Sequence, residues 1–133
     1  MTSATSRYIL DSHAWIEYFK GSDKGEKVKD IIENGGAYTS TVVLTEVSYW
    51  YSKQGVKFQD RINFITTNSV VAHANEQIAV NAGKIKDFVR KKYKNNFGTI
   101  DALILATARS IKAEVITGDY HFKPLKNVHY IGN

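Results

Sequence analysis

Short apolar, β-prone runs alternate with segments of helical periodicity along the whole chain, and this alternation constrains the fold more than any other feature. Strands are expected at residues 7–10, 37–40, 69–72, 114–117 and 128–131. Between them, helical spacing predicts helices near 12–20, 23–34, 42–53, 58–67, 75–93 and 100–112, with Thr99 placed to cap the last. Strands that alternate with helices cannot pair as tight hairpins. They form a mostly parallel sheet covered by helices on both faces, an α/β/α sandwich of about five strands. With 133 residues and no linker or repeat, the pattern predicts one domain over 7–133 behind a flexible segment at 1–6.

That architecture fixes where polar chemistry can gather. Parallel strands all end on one edge, where helices also begin, and ligands bind along it. Asp11 follows the first strand directly, and Asp119 follows the fourth after Gly118. Asp101 falls in the first turn of the helix near 100–112, and Glu46 one turn into the helix that follows Tyr38-Thr39-Ser40. Topology therefore assigns all four acids to the same edge. Each has an ordinary explanation taken singly: an aspartate in a first turn is favoured by the helix dipole, and one at a strand end can form a turn or a cap. Glu46 is harder to explain that way, because Val42, Val43, Tyr49 and Trp50 share its helical face and imply partial burial.

Several carboxylates at reduced dielectric repel unless something positive sits among them. The chain contains no cysteine and no clear histidine pair, which excludes thiolate sites and disulfides. An all-oxygen set suits Mg2+ or Mn2+, ions that activate water and neutralise charge on a phosphoryl group. The formal charge of +5 suits a polyanionic partner. Lys84, Lys86, Arg90, Lys91, Lys92 and Lys94, interrupted by Asp87, form a dense basic stretch, in which Arg90, Lys91 and Lys92 are candidates for RNA phosphate contacts. His13 and His121 flank the expected site, with hydrogen-bonding or packing roles preferred over ligation. Tyr49, Trp50 and Tyr51 cannot all face inward on one helix, so part of this group is a candidate interaction surface.

Other readings fit less well. An aspartyl phosphatase opening fails because position 13 is histidine, the paired early acids of receiver domains are missing, and there is no dinucleotide-binding glycine fingerprint. No run is long and apolar enough for a membrane span, and nothing at the start reads as a secretory signal, so a cytoplasmic location and no membrane partner are expected.

At these acids the sequence resembles the PIN-domain ribonucleases, especially the VapC-like toxins of toxin–antitoxin pairs. Tyr8-Ile-Leu-Asp-Ser12 looks like the family's opening strand and first acid, and Thr39-Ser-Thr-Val-Val-Leu-Thr-Glu46 like the segment bearing the second. The run from Thr99 to Ala108 is similar to the helix that starts with the third acid, and Val115-Ile-Thr-Gly-Asp-Tyr-His-Phe122 to the strand and turn holding the fourth. The resemblance spans about residues 7–131. It implies a PIN-like fold and Mg2+- or Mn2+-dependent hydrolysis of single-stranded RNA. Asp11, Glu46, Asp101 and Asp119 would then be metal ligands and catalytic residues, with Thr117 and Ser12 in support. It also implies a homodimer and a cognate antitoxin. The main alternative is a catalytically inactive PIN-like module for RNA binding or assembly.

Overall fold

The computed structural model describes residues 6–133, so the first five residues of the expected flexible segment lie outside the described residues. Five strands, β1 (Tyr8–Leu10), β2 (Ala37–Ser40), β3 (Val70–Ala72), β4 (Glu114–Thr117) and β5 (Val128–Tyr130), form one sheet in the order β3-β2-β1-β4-β5. Every pairing is parallel, so the sheet is parallel throughout rather than mostly. Six helices connect them: α1 (Ser12–Lys20), α2 (Asp23–Glu33), α3 (Thr41–Gln54), α4 (Gln59–Asn68), α5 (Glu76–Tyr93) and α6 (Thr99–Ser110). A short 3-10 turn, Tyr120–Phe122, replaces a helix between β4 and β5.

The chain moves outward from β1 through β2 to β3, then returns past both to place β4 on the other side of β1. Right-handed crossovers therefore put α1 to α4 on one face and α5 and α6 on the other. The packing agrees, with α1 against α2 and α3, and α5 against α6. The order of the strands reverses between β1 and β4, and a crevice at the carboxyl ends of the strands opens at such a point.

The core is built where the sheet meets these helices. Ile9, Leu10, Val115 and Ile116 are fully buried in the two central strands, with Trp15, Val43, Ile104 and Leu105 supplied by the helices. The buried polar groups of this region are satisfied in series: the Trp15 indole N–H donates to Thr39 Oγ1 (3.1 Å), which lies 2.7 Å from Ser69 Oγ, and Ser69 donates to the Ile65 carbonyl (2.6 Å). The relay ties α1, β2 and the end of α4 together. Close packing of α1 on α2 depends on Gly25, since a Cβ there would stand 2.2 Å from the Glu17 carbonyl oxygen. Among the described residues no helix is long and apolar enough to cross a membrane.

Candidate active site

The carboxyl edge is where strands turn into helices with almost no intervening loop. Asp11 is both the residue after β1 and the N-cap of α1, its Oδ1 accepting from the Ala14 N–H at 2.9 Å. Ser40 ends β2 and caps α3, its Oγ accepting from the Val42 N–H at 3.4 Å. The cap of α6 differs from the sequence expectation. Gly98, not Thr99, occupies the N-cap position, and the Asp101 Oδ2 reaches back to its N–H at 3.0 Å. The acid three residues into the helix satisfies the N–H of the cap residue itself, and the Thr99 hydroxyl accepts from Lys86 Nζ at 2.9 Å.

Thr117 and Asp119 come from the far side of the order reversal. The Thr117 hydroxyl donates to Asp11 Oδ2, and its oxygen accepts the Asp119 N–H at 2.9 Å. One threonine thus joins the ends of β1 and β4. Asp119 caps the 3-10 turn, its Oδ1 accepting from the His121 N–H at 2.9 Å and standing 2.7 Å from His121 Nδ1. Glu46, in the second turn of α3, is half-buried and accepts from the Ser12 hydroxyl at 3.1 Å.

The four acids share one electrostatic neighbourhood. Burial pushes the Asp11 carboxyl up from its ordinary 3.8 to about 7; the negative charges of Glu46 and Asp119 push the same way, against the Thr117 and Ala14 hydrogen bonds. Burial also raises Glu46, reinforced by Asp101 and Asp119 and opposed by Ser12. Asp101 is raised first by burial and then by Asp119, against the Gly98 N–H and the His121 charge. Among the described residues, the charges that raise these three carboxyls are one another and Asp119. The fold collects acids at the switch point.

The carboxylates do not form a closed shell. Among the described residues, no three Asp, Glu, His or Cys side chains converge closely enough to hold one ion as they stand. The hydrogen bonding shows which carboxylate oxygens are engaged. Glu46, Asp101 and Asp119 each have one oxygen held by a neighbour, in Ser12, Gly98 and His121 respectively. Each carboxylate leaves its other oxygen without a protein donor among the described residues, while Asp11 has donors on both. In donor chemistry the set fits a hard divalent cation: all oxygen, anchored by one atom each, in an environment that penalises uncompensated charge.

The remaining sequence candidates are distributed differently. His121 hydrogen-bonds Asp119, and His13 packs against Gly118, where a Cβ would stand 2.3 Å from its Cε1. His13 Nδ1 is buried without a partner, and burial lowers its pKa. Neither the Gly118 contact nor the reach of Asn95 Nδ2 to the His121 carbonyl (3.5 Å) was visible in the sequence, since both depend on loops meeting across the edge. Arg90, Lys91 and Lys92 are exposed in the last turn of α5 and point different ways: Lys91 pairs with Asp87 at 2.9 Å, and Lys92 lies over the Phe88 and Tyr93 rings. Of the three aromatics on α3, Tyr51 is buried, Trp50 half-buried and Tyr49 64% exposed.

Solved structures of similar fold include toxin–antitoxin assemblies. A toxin–antitoxin complex from Klebsiella pneumoniae superposes with a TM-score of 0.71 at 20% identity, covering 93% of this chain and 97% of that one. VapBC2 from Rickettsia felis, bound to a DNA fragment from its promoter, gives 0.71 at 20% identity, with 92% and 96% covered. VapC20 from Mycobacterium tuberculosis, described as a sarcin-ricin loop cleaving toxin, gives 0.65 at 14% identity, with 91% and 98% covered. At these identities the likeness is one of fold. No curated protein matches the sequence. The sequence does match the PIN domain over residues 8–127, from the first residue of β1 to the turn before β5. The chain belongs to the PIN-domain family.

Proposed function

We propose that this protein is a divalent-cation-dependent endoribonuclease that hydrolyses phosphodiester bonds of single-stranded RNA, and that it is the toxin of a cytoplasmic toxin–antitoxin pair. The observation that carries the nuclease reading is a buried Asp11 raised to about 7 amid three further acids. Such a group is costly to ionise unless a cation arrives from outside. The toxin reading draws on likeness of fold to a toxin–antitoxin complex and to a sarcin-ricin loop cleaving toxin, over nearly the full length of both. A cognate antitoxin and a homodimer are the partners this implies.

Asp11 and Asp101 would hold the Mg2+ or Mn2+ ion directly. When bound, the ion would supply Lewis-acid activation of water and neutralise charge on the phosphate. Glu46 and Asp119, each with an oxygen held by a neighbour and another available, hold water or accept its proton. Thr117 fixes Asp11, and Ser12 fixes Glu46. Hydrolysis in this arrangement leaves a 5′-phosphate and a 3′-hydroxyl. Arg90, Lys91 and Lys92 contribute phosphate contacts from the end of α5.

The test is cleavage of a labelled single-stranded RNA with Mg2+, Mn2+ or EDTA, by the parent protein and by Asp101→Asn. Cleavage is expected with either ion, none in EDTA, and a loss of at least about 100-fold in the variant. The variant should melt like the parent, because an asparagine oxygen can still accept from Gly98. Full activity in Asp101→Asn would remove the acid cluster from the mechanism. Metal-independent RNA binding without cleavage would instead identify an inactive RNA-binding module.

A further inference from the structure

We infer that the groove between α5, α6 and the turn before β5 is a second RNA site, which takes single-stranded RNA beyond the acid cluster. The inference rests on the nuclease reading for the identity of the polyanion; the site itself rests on a group of residues of which only Lys92 is shared with the α5 contacts proposed above. The groove encloses about 420 Å3, and Lys84, Phe88, Lys92, Tyr93, Arg109 and Lys126 line it. Four of these six carry positive charge, and no carboxylate lines the groove. All four are exposed, and none forms an ion pair among the described residues.

Four unpaired cations around one hollow repel each other, and an anion placed there relieves all of them at once. The floor specifies what kind of anion. Phe88 is 59% exposed, although its neighbour Val89 is buried, so the ring faces the groove. Lys92 Nζ stands 5.5 Å from the Phe88 centroid and 5.4 Å from that of Tyr93, which keeps its charge over the rings. An exposed aromatic face inside a basic rim is the arrangement that binds single strands, with a base stacked on the ring and phosphates on the cations.

A second copy of this chain fits poorly, because a two-fold contact would set the same positive residues against each other. An acidic peptide would match the charge, but the flat exposed ring with a cation above it favours a π-faced partner. The position suits a single strand passing through both sites. Arg109 lies eight residues beyond Asp101 on α6, roughly 12 Å along the helix axis. A strand with one phosphate at the acids therefore reaches the groove within a few nucleotides.

Binding of a fluorescein-labelled single-stranded RNA 12-mer to the full chain, read by anisotropy in EDTA across a salt series, tests this. Phe88→Ala should weaken binding about 10-fold. Lys84→Ala/Lys126→Ala should lower the slope of log K against log salt by roughly 1.4, the loss of two single-strand phosphate contacts. All three substitutions are at exposed positions, so unchanged melting curves confirm that each variant is folded. Parent-like binding by both variants would overturn the inference while leaving nuclease activity, measured separately with Mn2+, standing. Absence of cleavage by the parent, together with the expected binding losses, would remove the nuclease reading and keep the groove. Loss of a dimer in Phe88→Ala by light scattering would overturn the RNA assignment. So would a poly-glutamate peptide whose binding needs the groove while RNA binding does not.

Discussion

Asp11→Asn turns the electrostatics of the site into a stability measurement. The folded protein holds the Asp11 carboxyl at about 7 against an ordinary 3.8, chiefly through burial. Between those two pH values the folded state keeps a proton that the unfolded state has released, so metal-free stability falls as pH rises. The interval is roughly 3 pH units, and each is worth ~1.4 kcal/mol, so the ionised carboxylate costs about 4 kcal/mol above pH 7. Asparagine carries no charge at any pH. Its oxygen can accept from Ala14, and its amide can donate to Thr117 in place of the bond that Thr117 now donates. The variant should therefore match the parent near pH 4 and exceed it at pH 8 by up to about 4 kcal/mol. Urea unfolding of both proteins in EDTA from pH 4 to pH 8 measures the difference, and subtraction largely cancels the titration of Glu46 and Asp101. Adding Mg2+ at pH 8 should stabilise the parent and narrow the gap, because an ion bound only by the folded state adds to its stability. A difference that stays flat with pH, or an Asp11→Asn protein that is weaker at pH 8, would refute the account of Asp11 as an uncompensated buried acid.

Glu46→Gln should abolish Mn2+-dependent cleavage without lowering the melting temperature, since Ser12 can still donate to the amide oxygen and burial no longer opposes a charge; a destabilised variant would recast Glu46 as structural. Thr117→Val removes the donor to Asp11 and the acceptor for the Asp119 N–H, so it should lower the cleavage rate by about 10-fold or more, with Thr117→Ser restoring most of it; equal rates in the two variants would show that the hydroxyl is not what matters.

Much of the fold was legible because its signals are local. Apolar runs of strand length alternate with helical spacing, and acids at strand ends mark the carboxyl edge. Thr99 reads as a cap because threonine commonly is one, but the helix starts one residue earlier, with Gly98 at the N-cap position and its N–H held by Asp101. The basic run from Lys84 to Lys94 is nearly continuous in sequence, but consecutive helical residues fan out by about 100°. Lys91 therefore turned to Asp87, while Lys92 joined Arg109 and Lys126 from elsewhere in the chain. No local pattern could show that grouping, and the strand order that creates the switch point between β1 and β4 was equally outside what spacing can tell.

The plain structural explanation of the acids is correct for three of them, and that sharpens the functional one. Asp11 caps α1, Asp119 caps the 3-10 turn, and Asp101 holds the N–H of Gly98, the N-cap of α6. Each satisfies an N–H that a helix start leaves without a partner, so each would be favoured there in a protein with no activity at all. Glu46 has no such use. It lies a full turn inside α3, half-buried, with a raised pKa and a single serine hydroxyl as its donor. Burial at that position costs stability and caps nothing. A fold under selection for stability alone would place an apolar residue there. Three acids held in place by their capping duties, joined by a fourth that only their company explains, is the arrangement expected when helix starts are turned to the binding of a cation.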